Sequence, residues 1–117
     1  MFLTLNHQRL NIYDASIMFV LECYKLTNSL PNDEKFGMIS QIRRASLSVH
    51  LNVAERASRK SETERKCFYE IARGSIIEID VAKELGYLKN YNTEMLGVQL
   101  LKCFKLLSGL IQPKIQH

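Results

Sequence analysis

The sequence contains no tryptophan, only two prolines and only five glycines among its 117 residues. So few chain breakers argue against an all-β protein, which at this size needs turn residues roughly every ten positions. No apolar run approaches the roughly 18 residues needed to cross a bilayer, and Met1-Phe2-Leu3-Thr4 lacks the basic start of a signal peptide. The chain is therefore expected to stay in the cytoplasm and to have no membrane partner. Its three cysteines, Cys23, Cys67 and Cys103, include no C-x-x-C pair and cannot form a fully paired disulfide framework. Each falls among aliphatic neighbours on a different expected helix, which reads as core packing. Also missing are a phosphate-cradling glycine loop, an H-E-x-x-H pair and the Glu and Glu-x-x-His set of a di-iron bundle. No enzyme, no metal site and no cofactor are expected.

What is present is the material of one helical domain. Hydrophobic residues make up 46% and charged residues 24%, in a chain long enough for a single core, so residues 1–117 are read as one domain. Tyr13, Ile17, Val20 and Tyr24 recur at helical spacing in a first helix from Ile12 to about Asn28, with Asn11 as N-cap and Asp14 following. Ser29-Leu30-Pro31-Asn32 breaks it. Asp33 and Glu34 then supply the negative first turn of a second helix to about Ala57, which at ~1.5 Å per residue spans roughly 40 Å. Ser61 with Glu64 forms a capping box for a third helix that runs to Leu85 and stops at Gly86. Asn92 caps a fourth, to about Gln112 before Pro113. Short connections force antiparallel neighbours, so the expected fold is an all-α, up-down-up-down four-helix bundle.

Two helices carry more apolar surface than a bundle edge requires, which is a stripe ~100° wide. The first adds Ile12, Ala15, Phe19 and Leu26 beside Tyr13, Ile17, Val20 and Tyr24. The fourth sets Met95, Cys103, Leu106 and Leu110 beside Leu100, Phe104, Leu107 and Ile111. The surplus reads either as a broad core or as a subunit interface. The second reading puts Ile12, Phe19, Leu26, Leu47, Leu51, Leu106 and Leu110 against another copy of the chain, because large exposed apolar patches are rare on monomers.

On the second helix Gln41, Arg44, Ser48, Asn52 and Glu55 share one narrow stripe. It is bordered by Met38, Ile42, Ala45, Val49 and Val53 on one side and by Leu47, Leu51 and Ala54 on the other, so it is expected to be partly buried. The third helix places Ser75 and Glu78 inside its own apolar arc, and Arg44 with Glu78 is the expected pair. Such a network fixes helix register more readily than it adds stability. It holds no positioned nucleophile and no histidine: His50 points to the opposite side of the second helix, and His7 and His117 fall in the tails.

Sixteen basic against twelve acidic residues leave a net charge of +4. Half of the basic ones fall between Arg43 and Arg73, namely Arg43, Arg44, Arg56, Arg59, Lys60, Arg65, Lys66 and Arg73. Apart from Arg44, these are the candidate phosphate contacts for RNA or DNA. A solvated basic face that binds nothing is the plain alternative. With no helix-turn-helix signature and few aromatics in the basic stretch, little sequence specificity is expected.

The ordered elements Leu30-Pro31, Gln41-Ile42-Arg43-Arg44-Ala45, Ser48, Asn52-Val53-Ala54-Glu55, Ser61 to Glu64, Ala72, Gly74-Ser75, Glu78 and Leu85-Gly86-Tyr87-Leu88 resemble a bacterial four-helix bundle family. That family comprises proteins encoded in intervening sequences of large-subunit ribosomal RNA genes, with the accessory variability determinants of diversity-generating retroelements as relatives. The resemblance implies a ring-like homo-oligomer, typically a pentamer, without enzymatic activity. In the retroelement branch it implies a basic ring that binds nucleic acid and associates with a reverse transcriptase. This chain departs from the family pattern by having His50 in place of a common proline, which favours an unbroken second helix, and Arg56 in place of a glycine. Two functions remain open: a nucleic-acid-binding oligomer, and an assembly or adaptor protein whose apolar faces bind itself and a protein partner.

Overall fold

The computed structural model describes residues 11–31, 35–56, 59–86 and 88–111, with the backbone alone at 35 and 36. These residues form four α-helices, α1 (Asn11–Asn28), α2 (Ser40–Glu55), α3 (Glu62–Glu84) and α4 (Glu94–Ile111), with no strand among them. None of these helices is long and apolar enough to cross a membrane. Each helix packs on its neighbours in sequence, and α1 also packs on α4, so all four surround one core.

The helix ends follow the local chemistry. Ser61 at the N-cap of α3 has extended backbone and its hydroxyl accepts from the Glu64 N–H at 3.1 Å. At the other end Leu85 closes α3 and Gly86 takes φ +87°, a left-handed conformation that glycine adopts without the Cβ clash other residues suffer. Asn92 accepts from the Glu94 N–H at 3.0 Å, opening α4. The second helix differs from expectation. Its first turn, Lys35–Ile39, is π-helical before the chain tightens into α2 at Ser40. Gly37 lies within this wider turn. Asp33, Glu34, Ala57, Gln112 and Pro113, placed at helix boundaries by the sequence, lie outside the described residues, as do His7, Tyr87 and His117.

The core is built from Ile12, Ala15, Phe19 and Cys23 of α1, Ile42, Ala45, Val49 and Val53 of α2, Ala72, Ile76 and Ile79 of α3, and Leu96, Cys103 and Leu107 of α4. Each fully buried large aliphatic or aromatic side chain stabilises the fold by about 1.5–3 kcal/mol relative to exposure. Three buried hydroxyls avoid a desolvation penalty by bonding to the carbonyl one turn back: Ser16 to Tyr13 at 2.8 Å, Thr27 to Tyr24 at 3.0 Å and Ser46 to Arg43 at 3.0 Å.

This core corrects part of the expected subunit interface. Ile12, Phe19 and Leu26 are buried inside the chain itself, and Leu106 packs partly against the same core. The apolar arc of α1 is centred on Ile12, Ala15, Phe19 and Leu26, so Ile17, Val20 and Tyr24 form its half-buried flank. Leu47, Leu51 and Leu110 do face solvent, together with Met18, Leu21, Ile71, Ile77, Val81, Leu85, Met95, Val98 and Leu101.

Candidate nucleic-acid interface

The end of α2 and the start of α3 bring five of the seven candidate phosphate contacts together. Arg56 caps α2, and its guanidinium carbon lies 5.7 Å from the centre of the Tyr69 ring on α3. Arg59 stands 4.9 Å above the Phe68 ring and bonds Glu55 at 2.9 Å. Arg65 turns back to donate to the carbonyls of Arg59 and Lys60, both at 3.1 Å. These contacts tie Arg56, Arg59 and Lys60 to the first turns of α3, so the arginines are positioned before any ligand arrives. Lys60 is exposed and Lys66 half-exposed beside them.

Between these residues and the last turn of α4 lies an open cleft of about 290 Å³, lined by Arg56, Glu62, Arg65, Lys66 and Tyr69, with Gly109 and Leu110 across from them. The Nε of Arg56 is buried with no hydrogen-bond partner among the described residues. Burial raises the Tyr69 phenol above its ordinary pKa, an effect partly offset by the neighbouring Arg56 charge.

The other two candidates are employed elsewhere. Arg43 ties α2 to α1: its Nε donates to Thr27 Oγ1 and its Nη2 to Asn28 Oδ1, both at 2.8 Å, with the guanidinium 4.8 Å from the Tyr24 ring centre. Arg73 reaches Ser108 Oγ on α4 at 3.4 Å.

The expected network forms contacts and is half-buried at Ser48, Asn52 and Ser75, but Gln41, Arg44, Glu55 and Glu78 are exposed. Arg44 Nη2 lies 2.6 Å from Gln41 Oε1 and 3.3 Å from Glu78 Oε1, with the Arg44 and Glu78 side chains 65% and 50% exposed. Farther along, Ser48 and Ser75 hydroxyls meet at 3.0 Å and Asn52 donates to the Ser48 carbonyl at 2.7 Å, all half-buried, while Glu55 is exposed and pairs with Arg59. The correction has a plain cause. Leu47 and Leu51, taken as a burying border, face solvent alongside the stripe.

Sequence reasoning missed Phe68 and Tyr69 as supports for the arginines, and Glu62, Gly109 and Leu110 as cleft walls. The aromatics follow the Arg65-Lys66 pair after one intervening residue, Cys67, a local signal for basic and aromatic interleaving. The contribution of α4 has no such local signal.

The model of the 23S rRNA-intervening sequence protein family matches residues 8–111. The chain belongs to that family. No curated protein matches it. The matched span contains all four helices, the whole basic end and the cleft. Within this family member α2 runs unbroken through His50, and Arg56 occupies the C-cap of α2 with right-handed helical backbone, a conformation that needs no glycine.

Proposed function

We propose that this member of the 23S rRNA-intervening sequence protein family is a non-enzymatic homo-oligomer that binds nucleic acid, RNA foremost, through the basic end formed by Arg56, Arg59, Lys60, Arg65 and Lys66. The observation that carries the reading is the bracing of this end: two guanidiniums held over aromatic rings and a third bonded to two backbone carbonyls. An undirected solubilising charge needs no such bracing. Phosphate contacts of this kind favour any polyanion, so little sequence specificity follows. RNA is put first because the family's name ties it to ribosomal RNA.

The same proposal takes the bundle as up-down-up-down and its assembly as a ring, a pentamer of which carries a net charge of about +20 from +4 per chain. Supporting the topology, Arg43 meets Thr27 while His50 meets Ser16, and Arg44 meets Glu78 while Ser48 meets Ser75. Supporting assembly are the exposed Leu47, Leu51 and Ile71 and the exposed Val81 and Leu85 of α3. These apolar residues also favour a second reading, a scaffold that binds itself and a protein partner without nucleic acid.

Fluorescence anisotropy with labelled structured RNA and duplex DNA at several salt concentrations separates the two. Binding that weakens steeply with salt, and that disappears when the five basic residues are neutralised in a chain with unchanged circular dichroism, supports the first reading. No binding at low salt overturns it and leaves the scaffold.

A further inference from the structure

The basic end has a feature that phosphate attraction alone does not account for, the cleft walled by Arg56, Tyr69, Glu62 and Gly109. At about 290 Å³ it falls at the lower edge of the roughly 300–1,000 Å³ typical of small-molecule sites. That is room for a single base and its sugar, and far too little for a duplex. A site for bare phosphate would be lined by donors throughout, yet Glu62 contributes a carboxylate, which repels phosphate and accepts from N–H groups. Arg56 and Tyr69 both line the cleft, the guanidinium carbon 5.7 Å from the ring centre, so it is walled by a planar cation and an aromatic ring, the two kinds of group on which unstacked bases lie. Its Nε is a buried donor left without a partner among the described residues. Arg65 and Lys66 stand at the same cleft with charge for the adjoining backbone phosphate.

We propose that this cleft receives one unpaired nucleotide of a single strand, the base stacking on the Arg56–Tyr69 pair and turning an amino-bearing edge to Glu62, with its phosphate at Arg65 and Lys66. The proposal rests on the nucleic-acid reading above and adds to it a preference for unpaired over duplex strands and for cytosine, whose amino group a carboxylate accepts well, over uracil, which has none.

Gly109 provides the decisive variant, because a Cβ added there meets nothing within 4 Å. Gly109→Phe fills the cleft without touching a charge, and glycine is the poorer helix former, so the helix gains propensity. Anisotropy titrations of the full chain with labelled oligo(C), oligo(U) and a duplex RNA are compared with Gly109→Phe and, separately, with Lys60 and Lys66 neutralised. Filling the cleft is expected to weaken oligo(C) binding by about tenfold, the scale of one lost base stack, and to leave duplex binding unchanged. Neutralising the lysines is expected to weaken all three. In the unsubstituted chain, nuclear magnetic resonance signals of the Gly109 and Leu110 amides are expected to shift with oligo(C) and stay in place with duplex. Unchanged oligo(C) affinity in Gly109→Phe, with unmoved amides and normal salt-dependent binding, overturns the nucleotide cleft while the broader reading stands. Absence of all binding in the unsubstituted chain overturns both.

Discussion

Ser16 Oγ lies 2.7 Å from His50 Nδ1, joining the buried face of α1 to the flank of α2. The hydroxyl also donates to the Tyr13 carbonyl at 2.8 Å, and it has one proton to give. Serving both contacts, it accepts from the imidazole, which places a proton on Nδ1. The Tyr13 ring, centred 4.8 Å from that of His50, completes the packing. Ser16 is fully buried, so removing the imidazole leaves an acceptor lone pair unpaired. In urea unfolding at fixed protein concentration, Ser16→Ala and His50→Ala are each expected to cost about 1–2 kcal/mol. The double variant should cost less than their sum, showing coupling of about 1 kcal/mol. Additive losses would mean the contact contributes nothing.

The division of apolar residues between core and surface gives a second prediction. Phe19 is wholly buried and Leu51 is 61% exposed, although the sequence pattern puts both at an interface. Phe19→Ala is expected to destabilise the fold by about 3–5 kcal/mol. Leu51→Gln, made together with Leu47→Gln, should leave the circular dichroism spectrum intact and shift the oligomer distribution in sedimentation velocity toward smaller species. An unchanged distribution would remove the α2 face from any assembly surface.

The helices and most of their ends were legible because their signals are local: a serine cap at Ser61, a left-handed glycine at Gly86, an asparagine at Asn92. The π-helical turn Lys35–Ile39 was not, since sequence periodicity over five residues cannot distinguish it from α-helix. Periodicity also measured the width of the apolar arc on α1 without locating its centre. That centre is set by what α2 and α4 bring to it, a tertiary fact, and this is why Phe19 was assigned to the wrong side of the surface. For the candidate site, the five clustered cations adjoin one short connection and could be read directly. Arg43 and Arg73 could not be separated from them until Thr27, Asn28 and Ser108 were in place. The α4 wall of the cleft, at Gly109 and Leu110, comes from far along the chain.

Arg44 and Glu78 bridge α2 and α3 at 3.3 Å in the open. Solvent screens such a pair, and holding two long side chains in one geometry costs entropy, so its contribution is about 0–1 kcal/mol. Arg44→Met is expected to change the stability of the dilute chain by less than about 1 kcal/mol, and the difference should shrink further in high salt. A loss several times larger, accompanied by dissociation, would show that a second chain covers this face.

The cysteines divide by chemistry. Burial pushes the thiols of Cys23 and Cys103 up to about 12, with the Ser46 hydrogen bond pulling Cys23 back only partly, whereas Cys67 is exposed on α3. Thiolate is the reactive form, so at pH 8 a maleimide should modify Cys67 alone in the folded chain, read as a single mass addition, and all three cysteines after denaturation. The same shifts bear on stability. A thiol whose pKa is raised on folding binds its proton more tightly in the native state, so its contribution is fully present below the ordinary value of 9.0. As pH rises the unfolded chain ionises first, and stability should fall from about pH 9 toward pH 12. Replacing both buried cysteines with alanine should flatten this decline relative to the unsubstituted chain, measured by urea midpoints at pH 8 and pH 10.5. An equal decline in both would assign the alkaline loss to other groups.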